Sequence, residues 1–470
     1  MRNVAPISVG SVTLTALCGG LVFAASLLAR TPFASPVFYP LPASPSAVAV
    51  ADIDLDGDKD IVALAATRLR VFLNDGAGSF AARDQTGLWT HEAHDLTVAD
   101  LDRDGDADLT VAMSGIGANG FPDGTGRLGV LFNGGDGVFA PAVLYDSPGS
   151  TFSVVSADLN GDGFQDVAST GNSFRASVFL NDGAGTLTRI GDFGNGYTST
   201  SIKAGDLDFD GDVDLAFANP GISRISVLRN AGDGTFPSFA FYEAGDNCND
   251  VVMADTDRDG DLDLVSANYY GRNVSVLTNR GDASFEPHVT YPAGVFPVDL
   301  INADFDGDQW ADLAVADRDG NAVLVLLNNG NGTYATASTV AAGGRPTRVE
   351  TGDLNGDERA DLVVLNAGSL QIAVLLGSAD GTDPPPPPPP PVEISLAVAG
   401  TTTKPRSVDL RWTGATAPTV VISRNGTAIA QTPNDGQFAD SPAARGTYRY
   451  IVCQQGPDVC SNQVTVRFSK

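Results

Sequence analysis

Positive charge is scarce in this chain of 470 residues. Its 28 Lys and Arg face 57 Asp and Glu, a net charge of -29. A nucleic-acid partner needs the opposite sign and is excluded on that ground. Histidine is nearly missing, with 3 copies. His91 and His94 stand beside Asp95, but only His288 remains elsewhere, so an imidazole-based metal or acid–base group lacks a third convergent member. Of the 4 cysteines, Cys18 falls in an apolar N-terminal stretch. Cys453 and Cys460 are close enough in sequence to clip a hairpin in an oxidising compartment, which leaves Cys248 as a thiol. No apolar period of 3.6 runs through the chain, so helices are not expected. No Ser-His-Asp spacing and no phosphate-cradling glycine loop stands out. The 53 glycines lack the three-residue period of collagen and mark tight turns instead.

Long apolar runs are confined to the N-terminus. Residues 11–28 are mostly small and apolar, between Arg2 and Arg30. Residues 1–35 therefore read as a secretory signal, with small residues near Ala34 and Ser35 for cleavage. The rival reading is an uncleaved anchor, because the run approaches bilayer-spanning length. Leu17, just before Cys18, argues against a lipoprotein box. No other segment reads as transmembrane, so the expectation is a secreted or surface-exposed protein.

What the chain has in abundance is one acidic stretch. Its cleanest copy is Asp206, Leu207, Asp208, Phe209, Asp210, Gly211, Asp212, Val213, Asp214. Carboxylates occupy positions 1, 3, 5 and 9, and glycine occupies position 6, which is close to the oxygen rhythm of a calcium loop. The stretch recurs seven times, beginning at Asp52, Asp100, Asp158, Asp206, Asp255, Asp304 and Asp353, in steps of 48, 58, 48, 49, 49 and 49 residues. These seven loops hold 30 Asp, against 57 Asp and Glu in the whole chain. Like charges packed so closely repel each other unless a cation sits among them. Seven divalent ions would bring the balance to about -15.

The residues between loops repeat as well. A short apolar run enters each loop (47–51 in the first) and a second leaves it (61–65). A third ends in an Asn-Gly-type turn, as at Asn74, Asp75, Gly76, and a fourth begins at an apolar or aromatic residue, here Phe80. Such runs are strands joined by hairpin turns. Four antiparallel strands per 49 residues describe a propeller blade, and the closing aromatics are expected to pack between blades. The seventh unit lacks a fourth strand. Residues 36–43, Pro-Val-Phe-Tyr-Pro-Leu-Pro-Ala, supply it in this reading and remove the open edge. The fold class is therefore all-β, a seven-bladed β-propeller over 36–380 closed by an N-terminal strand. A proline-rich linker at 381–391, stiff and roughly 25 Å long for its eight prolines, leads on. Residues 392–470 alternate like the strands of a small β-sandwich resembling a fibronectin type III or immunoglobulin-like module.

The repeat resembles the FG-GAP or VCBS family, which builds the integrin alpha-subunit propeller and many secreted propellers. In that family the D-x-D-x-D-G-x-x-D loop joins the first two strands of a blade and binds calcium. Carried over position by position, the resemblance implies these ligands: Asp52, Asp54, Asp56 and Asp60; Asp100, Asp102, Asp104 and Asp108; Asp158, Asn160, Asp162 and Asp166; Asp206, Asp208, Asp210 and Asp214; Asp255, Asp257, Asp259 and Asp263; Asp304, Asp306, Asp308 and Asp312; Asp353, Asn355, Asp357 and Asp361. Oxygen-only ligands suit calcium over zinc or copper, with up to seven structural ions. Loops six and seven place Gln309 and Glu358 at position 6 and move glycine to position 4. Either the turn is harder there and the sites weaker, or the exchange is tolerated.

The rim opposite the acidic loops varies from copy to copy, and variable loops on a rigid scaffold carry function. Three stretches stand out: a glycine-rich loop at 114–127, Tyr269, Tyr270 and Arg272, and the group Trp89, His91, Glu92, His94 and Asp95. The favoured reading is a monomeric recognition or adhesion protein for a protein or polysaccharide ligand. The alternative is a polysaccharide lyase or glycoside hydrolase working on that opposite face, which requires a cluster of ionisable side chains around the centre.

Overall fold

A computed structural model describes residues 32–116, 122–378, 395–403, 406–413, 419–425, 427–433, 437–441, 446–454 and 464–468. Cys18, Cys460, the proline run and all but the last four residues of the expected signal lie outside these. The chain divides into two compact units, Met1–Pro386 and Pro387–Lys470. Strands dominate both, and the helix found among the described residues is a single 3-10 turn at Pro220–Ile222. No described helix is long and apolar enough to cross a membrane.

The first unit contains seven four-stranded antiparallel sheets. Sheet one runs Pro45–Ala51, Asp60–Ala65, Arg68–Asn74, Phe80–Thr86 in both sequence and spatial order. Sheets two to six repeat this meander, with first strands Glu92–Ala99, Thr151–Ala157, Ser201–Gly205, Cys248–Ala254 and Pro297–Ala303. Sheet seven takes Pro346–Gly352, Asp361–Asn366 and Gln371–Leu375 from the C-terminal side and Val37–Pro40 from the N-terminal side. Tyr39 pairs with Ile372, and Phe33 bridges Gly377. The first and last described strands of this unit thus pair where the other sheets have a hairpin.

The second strand of sheets one and three to seven is buried at every residue, because both faces of a sheet are covered. Seven apolar clusters account for this, one between each pair of successive sheets. The seventh joins Phe72 and Phe80 of sheet one to Leu354, Val363 and Leu376 of sheet seven. The residue that opens each fourth strand, or caps the preceding turn, packs on the previous sheet: Phe139 against Ile53, Leu187 against Leu101, Phe236 against Leu159, Phe285 against Leu207, Tyr334 against Val252. Each such side chain removes on the order of 2 kcal/mol of apolar surface from water. First strands also neighbour one another in sequence order, and that of sheet one neighbours that of sheet seven.

Two expectations are corrected here. The glycine-rich stretch expected as a loop over 114–127 is strand at its two ends, which belong to Asp108–Ile116 and Pro122–Leu131, while 117–121 lie outside the described residues. Trp89 is not displayed on a surface. It is buried in the cluster between sheets one and two, because the connection preceding Glu92–Ala99 folds inward.

Among the described residues, the second unit holds one three-stranded and one four-stranded sheet. Val408, Leu410 and Trp412 of the first share an apolar cluster with Val420, Ile422, Tyr450, Val452 and Val466 of the second. Cys453 is disulfide-bonded to a partner outside the described residues.

Candidate metal centre

Each acidic loop links the first two strands of its sheet. Its shape is made by its own first residue. Asp206 Oδ2 accepts from Gly211 N (3.1 Å), Asp255 Oδ2 from Gly260 N (3.2 Å), and Asp304 Oδ2 from Gln309 N (2.7 Å). This bond to position 6 is present in all seven loops. It requires left-handed backbone at positions 4 and 6 in every copy. Loops one, two, four and five place Leu55, Arg103, Phe209 and Arg258 at position 4 and glycine at position 6. Loops six and seven reverse this, with Gly307 and Gly356 at position 4 and Gln309 (φ 69) and Glu358 (φ 66) at position 6. One strained non-glycine residue is therefore carried either way, and the exchange preserves the turn.

The carboxylates then converge. In five loops three acidic side chains each bring an oxygen within 4.8 Å of the others: Asp52, Asp54 and Asp60; Asp100, Asp102 and Asp108; Asp206, Asp208 and Asp210; Asp255, Asp257 and Asp259; Asp304, Asp306 and Asp308. Loops three and seven carry Asn160 and Asn355 at position 3, whose amides turn to Asp162 (2.8 Å) and Asp357 (3.2 Å). Position 3 feels the crowding: burial first, then the neighbouring carboxylate at position 5, raises Asp54, Asp102, Asp208, Asp257 and Asp306 above the usual range. Asp52, Asp54, Asp206, Asp208 and Asp255 each bury one Oδ1 with no donor. A buried carboxylate oxygen without a donor is costly, and a hard cation is the partner these oxygen-only clusters fit.

Position 9 has a second role that the spacing does not disclose. Asp214 is buried, its Oδ2 accepting from Leu207 N (3.3 Å) and its Oδ1 from Asn230 N (2.8 Å). Asp60, Asp108, Asp166, Asp263 and Asp312 make the same pair of bonds, and Asp361 uses Gly377 N in place of an asparagine. Burial pushes these carboxyls up to about 6 or 7. The side chain at position 9 thus ties the acidic loop to the hairpin of its own sheet.

The hairpin asparagine then ties that sheet to the one before it. Asn133 Nδ2 donates to Ile53 O, Asn181 to Leu101 O, Asn230 to Leu159 O, Asn279 to Leu207 O and Asn328 to Thr256 O, all at 2.7–2.8 Å. Asn74 of sheet one reaches Leu354 O of sheet seven at 2.8 Å. In the sequence these asparagines mark only the turns. Their signal was their recurrence at one offset from every loop.

The other expected group disperses. His94 lies on the first strand of sheet two, bonded to Ser114 Oγ (2.9 Å) and edge-on to Phe152, and burial lowers its basicity. Asp95 accepts from Ser153 Oγ (2.6 Å) and Val154 N (3.2 Å) of the next sheet. No shared centre with His91 forms.

Asp95 instead joins a cluster that sequence reasoning missed. First strands bring Asp95, Lys203, Asp250, Asp299, Arg348 and Glu350 into mutual electrostatic range from five sheets. Asp250 Oδ2 accepts from Leu300 N (3.1 Å) and Asp299 Oδ2 from Val349 N (2.7 Å), so these acids satisfy edge-strand amides of the following sheet. Arg348 pairs with Asp299 at 3.3 Å. Burial drives Asp299 well above the carboxylate range, reinforced by Asp250, and drives Glu350 up to about 7 against the pull of Lys203. For Lys203 the four surrounding acids outweigh burial and raise it. For four of the six the signal was the residue five before each loop, which reads Ala47, Asp95, Ser153, Ser201, Asp250, Asp299, Arg348; Lys203 and Glu350 stand three before theirs.

Comparison with known proteins agrees with this repeat. A family model described as FG-GAP-like repeat matches residues 52–111, 158–217, 206–266 and 304–364. FG-GAP-like repeats are therefore present at four positions, and the four matches together take in all seven acidic loops. No curated protein sequence matches the chain. Among solved structures, it is similar to a chain in the crystal structure of BBS1N in complex with ARL6DN soaked with mercury, at 14% identity and TM-score 0.53, covering 74% of this chain and 98% of that one. The lead-soaked form of that complex gives 15% identity and TM-score 0.53, covering 75% and 99%. The WD40 β-propeller domain of Doa1 follows at 11% identity and TM-score 0.49, covering 74% and 97%.

Proposed function

We infer that this chain is a calcium-stabilised recognition protein of the FG-GAP or VCBS kind, exported from the cell, whose first unit is a closed seven-bladed β-propeller. The observation that carries the reading is one loop geometry repeated in all seven sheets, with three acidic side chains converging in five of the loops and buried carboxylate oxygens that lack a donor in three of them. Ring closure is supported by the pairing of Val37–Pro40 with Gln371–Leu375 and by the Asn74 bond to Leu354 O. Calcium held by positions 1, 3 and 5, with the free lone pair of position 9, neutralises each loop and pins its first hairpin. Loops three and seven contribute amide oxygens from Asn160 and Asn355. The identical rim is thereby committed to stability, and recognition of a protein or polysaccharide falls to the opposite rim. The remaining assignments accompany this reading: an N-terminal signal or anchor, the proline linker at 381–391, and a fibronectin type III or immunoglobulin-like module at 392–470.

The enzymatic alternative gains nothing from the central cluster. Three of its four carboxylates hold backbone amides of the next sheet, which is a structural task. The test is calorimetry of the full chain with calcium and with excess chelator. One site at a hundredfold excess over its Kd contributes about 2.7 kcal/mol, and several acting together lower the melting temperature by many degrees when stripped. A melting temperature that chelator does not move would sink the calcium reading.

A further inference from the structure

Opposite the acidic loops, each sheet presents the turn between its second and third strands and the connection to the next sheet. In sheets three to seven the residue just before the third strand is left-handed: Phe174 (φ 59), Ser223 (φ 55), Arg272 (φ 55), Asn321 (φ 55) and Leu370 (φ 52). The backbone shape is constant while the side chain changes, so this is a display position. In sheet five the turn carries Tyr269, Tyr270 and Arg272. Tyr269 stacks on Phe296 from the connection to sheet six, with centroids 4.7 Å apart. Tyr270 meets Tyr269 edge-on at 4.9 Å and is 62% exposed.

The ledge is held firmly. Asp317 accepts from Val295 N (2.9 Å) and Phe296 N (2.8 Å), which sets the Phe296 ring under Tyr269. Arg318 lies 4.8 Å over the Tyr269 ring, donates to its hydroxyl and is satisfied by Asp319. Tyr269 N and Gly271 N bond to Asn247 O and Asp246 O. Arg272 differs. Its guanidinium sits 5.7 Å from the Phe296 centroid and donates no hydrogen bond among the described residues. A second ledge occupies the same rim at sheet three, where Phe174 and Tyr197 pair at 5.8 Å and are 52% and 38% exposed.

We propose that the Tyr270–Arg272 ledge is a carbohydrate subsite: one sugar ring of a neutral polysaccharide lies on Tyr270 while the free Arg272 fork donates to its hydroxyl oxygens. This names a ligand class for the recognition reading and rests on it. A protein partner needs roughly 800 Å² on each side, far more than one exposed ring offers, whereas a single sugar ring matches it in size. Sugar C–H groups are attracted to the electron-rich ring face, and planar guanidinium donors fit adjacent hydroxyls. The net charge of -29 disfavours a polyanion. A second ledge on the same rim suits a polymer, which gains avidity by engaging both.

The experiment is affinity electrophoresis of the full chain in calcium through gels holding galactomannan, xyloglucan, mixed-linkage glucan or dextran, with polygalacturonate and alginate as polyanions. At least one neutral polysaccharide should retard the protein. Tyr270→Ala and Arg272→Gln should each weaken that binding on the order of tenfold with an unchanged melting temperature. Phe239→Ala, an exposed ring on the outermost strand of sheet four, should bind as wild type. Retardation by polyanions alone, by none of the polysaccharides, or equally for wild type and both variants overturns the subsite. Those outcomes leave the chelator experiment, and with it the calcium-stabilised recognition reading, to stand or fall separately.

Discussion

Replacing Asn230 with alanine tests whether the hairpin asparagines hold neighbouring sheets together. The amide donates to Leu159 O (2.8 Å) in the third acidic loop and to Val213 O (2.9 Å) in its own, and its oxygen accepts from Gly232 N (3.1 Å). The residue is 7% exposed and Leu159 1%. Truncation leaves the Leu159 carbonyl buried without a donor, at about 1–3 kcal/mol, while Val213 O and Gly232 N are nearer solvent and lose about 1 kcal/mol between them. The expected loss is roughly 2–4 kcal/mol. Asp233→Ala in the same hairpin removes bonds to Thr235 N (3.0 Å) and Thr235 Oγ1 (2.5 Å) at an exposed site and should cost under about 1 kcal/mol. Urea unfolding in saturating calcium reads both, since the midpoint shift at constant slope gives the stability change. An Asn230→Ala protein no less stable than Asp233→Ala refutes the role assigned to the asparagine.

Three further outcomes are expected. Glu350 faces Lys203, Asp95, Arg348 and Asp250, and its folded pKa of about 7 lies above the ordinary 4.5. The folded chain then holds its proton longer than the unfolded one, so stability falls by roughly 3 kcal/mol as pH rises from 4.5 to 7; Glu350→Gln should flatten that slope in pH-resolved unfolding, and an unchanged slope contradicts the assignment. Gly211→Ala meets no atom within 4 Å and should cost only the strain of φ +91, about 1 kcal/mol, whereas Gly343→Ala (φ +116) sets its Cβ 2.8 Å from the buried Asn366 amide, which is held by Ala342 O and Val364 O, and should cost clearly more; equal midpoints count against the close approach. Cys248 is fully buried with its thiol pushed up to about 12, so iodoacetamide should modify it only after unfolding, and rapid native labelling at pH 8 refutes its burial.

The repeat was legible because its chemistry is local. Asp206 bonds to Gly211 five residues away, and each loop's geometry is complete within nine residues of chain. The period, the four strands per unit and the pairing of Val37–Pro40, within the expected 36–43, with the last unit followed from patterns that burial on both faces enforces. Loops six and seven show the limit of such reading. From the residues alone the loss of glycine at position 6 could equally weaken the turn or be tolerated; the turn needs left-handed backbone at two positions, and glycine relieves either one.

The sequence by itself determined the all-β repeat and seven places where carboxylates crowd together, since alternation, turn residues and neighbouring charges act over a few bonds. Tertiary structure alone decided what joins one sheet to the next. The Asn74 bond to Leu354 O spans 280 residues, the charges clustered on the first strands come from five sheets, Trp89 turns inward, and Phe296 slides beneath Tyr269. These contacts depend on which side chain the neighbouring sheet presents at one height, and no period within the chain specifies that.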